Sequence, residues 1–236
     1  MLARIEELYG SIPAGEAPHL FMRPEPEQMG ERRVKVERPG TTSFVQVGYR
    51  VPGATDTDWF KLELVNSILC GPDGMGGGSI DNKTSRLYKA LVDTELAASV
   101  DGGMTQTIDP FLYTITAVVR DGKSSEDVEA AILSEVERLR GGDVTEAELN
   151  RVKKQARALF AYSTERVTMQ AFWLAFTENI ESYDWFENYV THLEAVTLDD
   201  VKQAAAHYLR PQNRTVGTFI PTEGDDGAGD DMEDYE

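Results

Sequence analysis

Residues 64–100, LVNSILCGPDGMGGGSIDNKTSRLYKALVDTELAASV, carry the pattern that sets the fold class of this chain. They open inside an apolar helix expected over residues 56–70. There Trp59, Leu62, Val65 and Leu69 share one stripe, and Phe60, Leu64 and Ile68 widen it. Gly71 ends that helix, and a glycine-rich loop follows. Residues 84–92 then regain helical spacing, with Leu87, Tyr88 and Leu91 inward, and residues 96–102 read as a strand.

The same reading extends both ways. Upstream, Val34 and Val36 alternate with charged residues over 33–37, and Val45, Val47 and Tyr49 face one way over 44–51, with RPGTT as turn material between the two strands. Downstream, Phe111, Tyr113, Ile115 and Ala117 alternate with Leu112, Thr114 and Thr116, and the intervening GGMTQTIDP is a hairpin connection. Helices are expected over 125–140, from 145 through Phe160, over 169–180, 185–194 and 198–209, and a strand over 214–220. Ser124 or Ser125 caps the first of these. Thr145 with Glu148 and Thr197 with Asp200 have capping spacing at the starts of two more. The order β-β-α-α-β-β-α-α-α-α-α-β is that of an α+β domain, an antiparallel or mixed sheet with helices on one face. A doubly wound sheet would alternate single strands with helices throughout.

Of the 236 residues, 41% are hydrophobic and 27% charged, enough to bury a core. The net charge of −18 includes eight acids and no base in residues 222–236, so −10 remains on the rest. An acidic body argues against nucleic acid or an anionic membrane surface as partner. The tail's Gly/Asp/Glu composition is that of a disordered, solvating end. Residues 1–10 read as a short amphipathic helix (Leu2, Ile5, Leu8), and residues 12–28, with four prolines, as a semi-rigid linker. The expected organisation is therefore 1–30 as the end of a preceding domain plus linker, 31–221 as the folded domain, and 222–236 as tail. No run is long and apolar enough to cross a bilayer. The single Cys70 excludes an internal disulfide, suits a reducing compartment, and makes the cytoplasm the expected location.

Motifs for self-contained chemistry are missing. The glycine-rich loop places Asn82 before Lys83-Thr84 where a phosphate-binding loop needs glycine, and no G-x-G-x-x-G can be threaded through it. His19, His192 and His207 are scattered, with no paired zinc motif. There is no G-x-S-x-G elbow, and Cys70 lacks a basic neighbour.

At residues 64–100 the sequence resembles the second homologous domain of the pitrilysin/insulinase metallopeptidases, the family that includes the mitochondrial processing peptidases. LELVNSIL, then GGG, then TSRLYKALVDTELAASV carry the resemblance. GERRVKVERPGTTSFVQVGYRVP before them, and DGKSSEDVEAAILSEVERLRGGDVTEAELNRVKKQ after them, extend it over about 31–220. The resemblance implies a two-layer domain, a mainly antiparallel sheet of about five or six strands against a layer of helices. It also implies that zinc is held not here but on an inverted motif of a homologous first domain or subunit, with a peptide substrate enclosed between the two. MLARIEELYGSIPAGE resembles the close of such a first domain. The family's second domain often supplies an Arg and a Tyr to the substrate; the matching positions here are Val92 and Ala98, which cannot donate those hydrogen bonds. Arg86, Tyr88, Gly76, Gly77 and Gly78 are the remaining candidates for substrate contact. For these two, capping or pairing within the fold by Arg86 and core packing by Tyr88 are the favoured readings. A zinc-free scaffold subunit of the same fold is the alternative reading.

Overall fold

The computed structural model describes residues 1–13, 15, 25–74, 78–79 and 83–222. Among these, five strands form the main sheet: β1 (Arg32–Pro39), β2 (Phe44–Val51), β5 (Ala97–Met104), β6 (Phe111–Val119) and β7 (Arg214–Thr222), in the order β1-β7-β2-β6-β5. Three of its four pairings are antiparallel, and β1 runs parallel to β7. The α+β class and mainly antiparallel sheet expected from the sequence are thus present. A two-residue ribbon, β3 (Asp73–Gly74) with β4 (Gly78–Ser79), lies where a plain helix-to-helix connection was expected.

Period-two alternation places one face of the sheet under the helices. Val45, Val47, Tyr49 and Val51 of β2, Tyr113, Ile115, Ala117 and Val119 of β6, and Val216 of β7 are all buried. Against them pack α2 (Asp58–Leu69), α3 (Ser125–Arg140) and α8 (Leu198–Tyr208), with α4 (Glu146–Ser163) against α2. Ten of the twelve α2 residues are buried, as a helix needs when it is sandwiched between a sheet and further helices. Outside it, α5 (Val167–Ile180), α6 (Tyr183–Glu187) and α7 (Tyr189–Ala195) complete the helical layer. Its aromatic side chains Phe60, Phe160, Trp185 and Tyr189 stack on one another. The Trp185 indole donates to the Ala54 carbonyl at 2.9 Å, pinning α6 to the loop before α2.

Caps fix where these helices begin. Ser124 accepts from the Asp127 amide, and Thr145/Glu148 and Thr197/Asp200 form reciprocal capping boxes. The Tyr208 hydroxyl donates to Asp58 at 2.9 Å, tying the end of α8 to the start of α2. Burial pulls the Asp58 carboxyl up, but hydrogen bonds from Lys61 and Tyr208 outweigh it and hold it below the usual carboxylate value.

Three local expectations are corrected. The helix expected over 84–92 becomes, at Tyr88–Val92, a π-helical turn closed by the Asp93 and Leu96 amides on the Tyr88 and Leu91 carbonyls. The wide turn leaves Leu87 and Leu91 fully buried and Tyr88 half-buried. The helix expected over 185–194 is two short ones meeting at Asn188, because Trp185 and Tyr189 must both reach the core around Trp59. Phe111 shares the parity of the buried set on β6, yet it is 50% exposed at the strand's first position. The acidic tail lies outside the described residues beyond Thr222.

Strand β5 closes against α2 through Gly102, where an added Cβ would sit 2.3 Å from Cys70 Sγ and 3.0 Å from Asn66 Oδ1. Gly102→Ala is expected to destabilise the domain by about 1–3 kcal/mol through overpacking. Urea unfolding of the variant against the parent measures this, and an unchanged midpoint would contradict the close packing of β5 on α2.

Candidate functional site

The second face of the sheet follows from the same alternation. Register places Val34 and Val36 of β1, Thr215, Gly217 and Phe219 of β7, Phe44, Gln46, Gly48 and Arg50 of β2, and Leu112, Thr114 and Thr116 of β6 side by side on it. No described element packs over them, and they line an open cleft of about 1320 Å³. Val34, Val36, Phe44, Phe111 and Leu112 are between 38% and 52% exposed there. Large apolar side chains left exposed along one cleft mark an interaction site, since apolar area left in water costs roughly 25 cal/mol per Å².

The cleft has two apolar ends and a neutral polar floor. Phe44 and Phe219 meet edge to face at one end, ring centroids 6.0 Å apart. Phe111 and Leu112 lie at the other. Between them the Gln46 amide donates to Thr116 Oγ1 at 3.0 Å. Residues 25–28 wall the Arg50 end: Arg50 donates to the Glu25 and Pro26 carbonyls at 3.2 and 3.0 Å, and Gln28 donates to the Arg214 carbonyl at 2.8 Å. Glu31 anchors that wall, accepting from Arg33 at 2.6 Å and from Arg214 at 2.8 Å. Burial raises the Glu31 carboxyl, and the two guanidinium groups more than reverse it, leaving it below its ordinary value. Among the described lining residues Arg32 and Arg50 balance Glu25 and Asp109, so the cleft is neutral in a chain of net charge −18.

The residues singled out from the sequence lie elsewhere. Arg86 donates to both oxygens of Glu148 at 3.0 Å and to the Asp143 carbonyl at 2.5 Å, joining the π-helical turn to the N-terminus of α4. Tyr88 sits half-buried in that turn, its amide bonded to Ser85 Oγ. The structure does not bring either to the cleft. Gly78 pairs with Gly74 in the small ribbon, while Gly76 and Gly77 lie outside the described residues. Val92 is half-buried at the end of the turn, and Ala98 is exposed at a register shift in β5, opposite no partner residue.

The described donors suit no metal. His192 packs its ring on Phe60 at 4.8 Å and His207 packs on Tyr208, on separate helices. Among the described residues, no three His, Cys, Asp or Glu side chains gather in a group that could hold an ion. No helix among them is long and apolar enough to cross a membrane.

Sequence reading missed the cleft because its residues are ordinary by type. The available signal was the unpaired half of the alternation. Once the described helices are placed on one side of the sheet, Phe44 and Leu112 have no helix to pack on.

Comparisons with known proteins agree on one family. The model of the Peptidase M16 inactive domain matches residues 1–156. Zinc protease PqqE of Helicobacter pylori is 29% identical over 150 residues, 63% of this chain and 31% of that protein. The crystal structure of a protease from Helicobacter pylori superposes with a TM-score of 0.82 at 22% identity, covering 93% of this chain and 52% of that one. The inactive peptidase domain of a presumptive zinc protease from Bordetella parapertussis superposes at 0.68 with 28% identity, covering 80% of this chain and 97% of that one. This chain therefore spans about a third of the curated relative and half of the first solved one.

The Arg86–Glu148 pair has a pH signature. Burial raises the Glu148 carboxyl, but Arg86 and the Thr145 amide outweigh it, so its folded value lies below 4.5. A depressed folded value gives stability that is complete above the unfolded value and lost as pH falls through the folded one. Arg86→Met should cost about 1.5–3 kcal/mol at neutral pH. The gap from the parent, followed in urea titrations, should narrow as pH falls from neutral through the acid range in which Glu148 protonates; a gap independent of pH would show that packing, not charge, holds the pair.

Proposed function

The chain belongs to the Peptidase M16 inactive-domain family, and we propose that it is the non-catalytic half of a zinc metalloendopeptidase, walling a peptide-holding chamber opposite a zinc-bearing homologous domain or subunit. The observation that carries this reading is the uncovered, apolar sheet face with its cleft of about 1320 Å³. That exceeds the roughly 300–1,000 Å³ of small-molecule sites and suits an extended peptide.

In this reading zinc and its activated water belong to the other half. This half supplies enclosure: Phe44, Phe219 and Leu112 offer apolar contact, the Gln46 amide and threonine hydroxyls offer hydrogen bonds, and the closed face keeps water from the held peptide. Arg86 is not assigned to substrate here, since its guanidinium already serves Glu148 and the Asp143 carbonyl. Peptide held by distributed contacts of this kind gains position rather than chemical activation.

Co-expression with the zinc-bearing half tests the proposal. Peptide hydrolysis should need both halves. Phe44→Asp with Leu112→Asp should lower kcat/KM about tenfold or more, equivalent to about 1.4 kcal/mol, while the domain stays folded with a melting midpoint lowered only modestly by loss of the Phe44–Phe219 contact. Full hydrolysis by the zinc half alone, or by the doubly substituted pair, would overturn it.

A further inference from the structure

Gly48 and Gly217 lie in β2 and β7, strands that are hydrogen-bonded on both sides. Glycine in a strand interior weakens it, and is kept where backbone geometry or close approach demands it. Among the described residues neither demand operates. Neither residue has positive φ; among the described glycines those that do are Gly71, Gly122 and Gly142. A Cβ on Gly48 would meet nothing nearer than the Thr215 carbonyl oxygen at 4.0 Å, and one on Gly217 nothing nearer than the Gln46 carbonyl oxygen at 3.9 Å. Gly102, on the packed face, shows the contrast, for its Cβ would collide with Cys70. The two outer glycines are diagonal neighbours, since Gly48 pairs with Thr215 and Gly217 with Gln46. Both belong to the floor of the cleft, between the Phe44–Phe219 and Phe111–Leu112 ends.

We infer that Gly48 and Gly217 set the depth of the cleft and so select peptides that present a large uncharged side chain, aromatic or branched aliphatic, to its floor. This inference rests on the enclosing role proposed above. Three observations specify the occupant. The backbone groups of β2 and β7 are committed to the sheet, so at the floor these strands form a peptide is read through space and side chains. The lining charges cancel, which gives a charged side chain no net partner against the cost of its desolvation. Phe44, Phe219 and Val34 adjoin Gly217 in the register and offer a large apolar group its contact surface. Gly48 and Gly217 are thus specificity-determining positions that leave room, not catalytic residues.

The test uses the chain and two short uncharged peptides, identical except that one carries a benzophenone-bearing phenylalanine and the other a small diazirine side chain. With the parent, the benzophenone peptide should insert into Gln46, Leu112 or Thr116, mapped by mass spectrometry. Gly48→Val and Gly217→Val should each cut that labelling about tenfold. Labelling by the small diazirine peptide should persist. Their melting midpoints should hold or rise by about 2–4 °C, as β-branched residues suit strands. Undiminished benzophenone labelling in both variants would overturn the inference and leave the enclosing role standing. Lowered melting midpoints would show the glycines to be structural and also overturn it. Absence of labelling on this face of the parent by either peptide would remove the enclosing role, and the inference with it.

Discussion

One-sided burial of the sheet is the constraint on which the rest depends. Val45, Val47 and Tyr49 of the central strand β2 are completely buried, and their neighbours on β6 and β7 continue the same layer. A slip of one residue would turn this layer to solvent and bring Gln46 and Arg50 into the core, so register is strongly fixed. The helical layer then has one place to go. Helix α2 fills it, with α3 and α8 beside it on the sheet and α4 beyond.

The polar contacts serve that arrangement by setting lengths and angles. Capping boxes at Thr145 and Thr197 start α4 and α8 at defined residues, and Tyr208 with Asp58 joins α8 to α2. The Arg86 pair with Glu148 reaches from the π-helical turn to the same capping box. Arg86 therefore holds two elements in register, which is why a residue that looked suited to a substrate is directed into the fold. Exposed pairs such as Arg138 with Asp143 contribute little beside these, being screened by solvent.

The uncovered sheet face is the remainder of this construction. Because every helix described against the sheet takes the inner side, no described helix covers the outer side chains of four strands. Their apolar ends and neutral floor follow from residues spaced two apart along each strand. In the family reading, the second half of the enzyme completes what this half leaves open.

The sequence by itself determined the α+β class, the alternation of β2 and β6, the three capped helix starts and the scatter of the histidines, because each rests on residues within a few positions of one another. The family resemblance on residues 64–100 was legible for the same reason. Tertiary structure decided what depends on distant partners. It set β7 between β1 and β2, parallel to one and antiparallel to the other, where local pattern showed only a closing strand. It turned the end of the 84–92 segment into a π-helical turn, and broke the last aromatic helix so that Trp185 and Tyr189 could share one cluster. It also decided the site. Phe44, Gly48, Leu112 and Gly217 come from three strands far apart in the chain, and only their register makes a cleft of them.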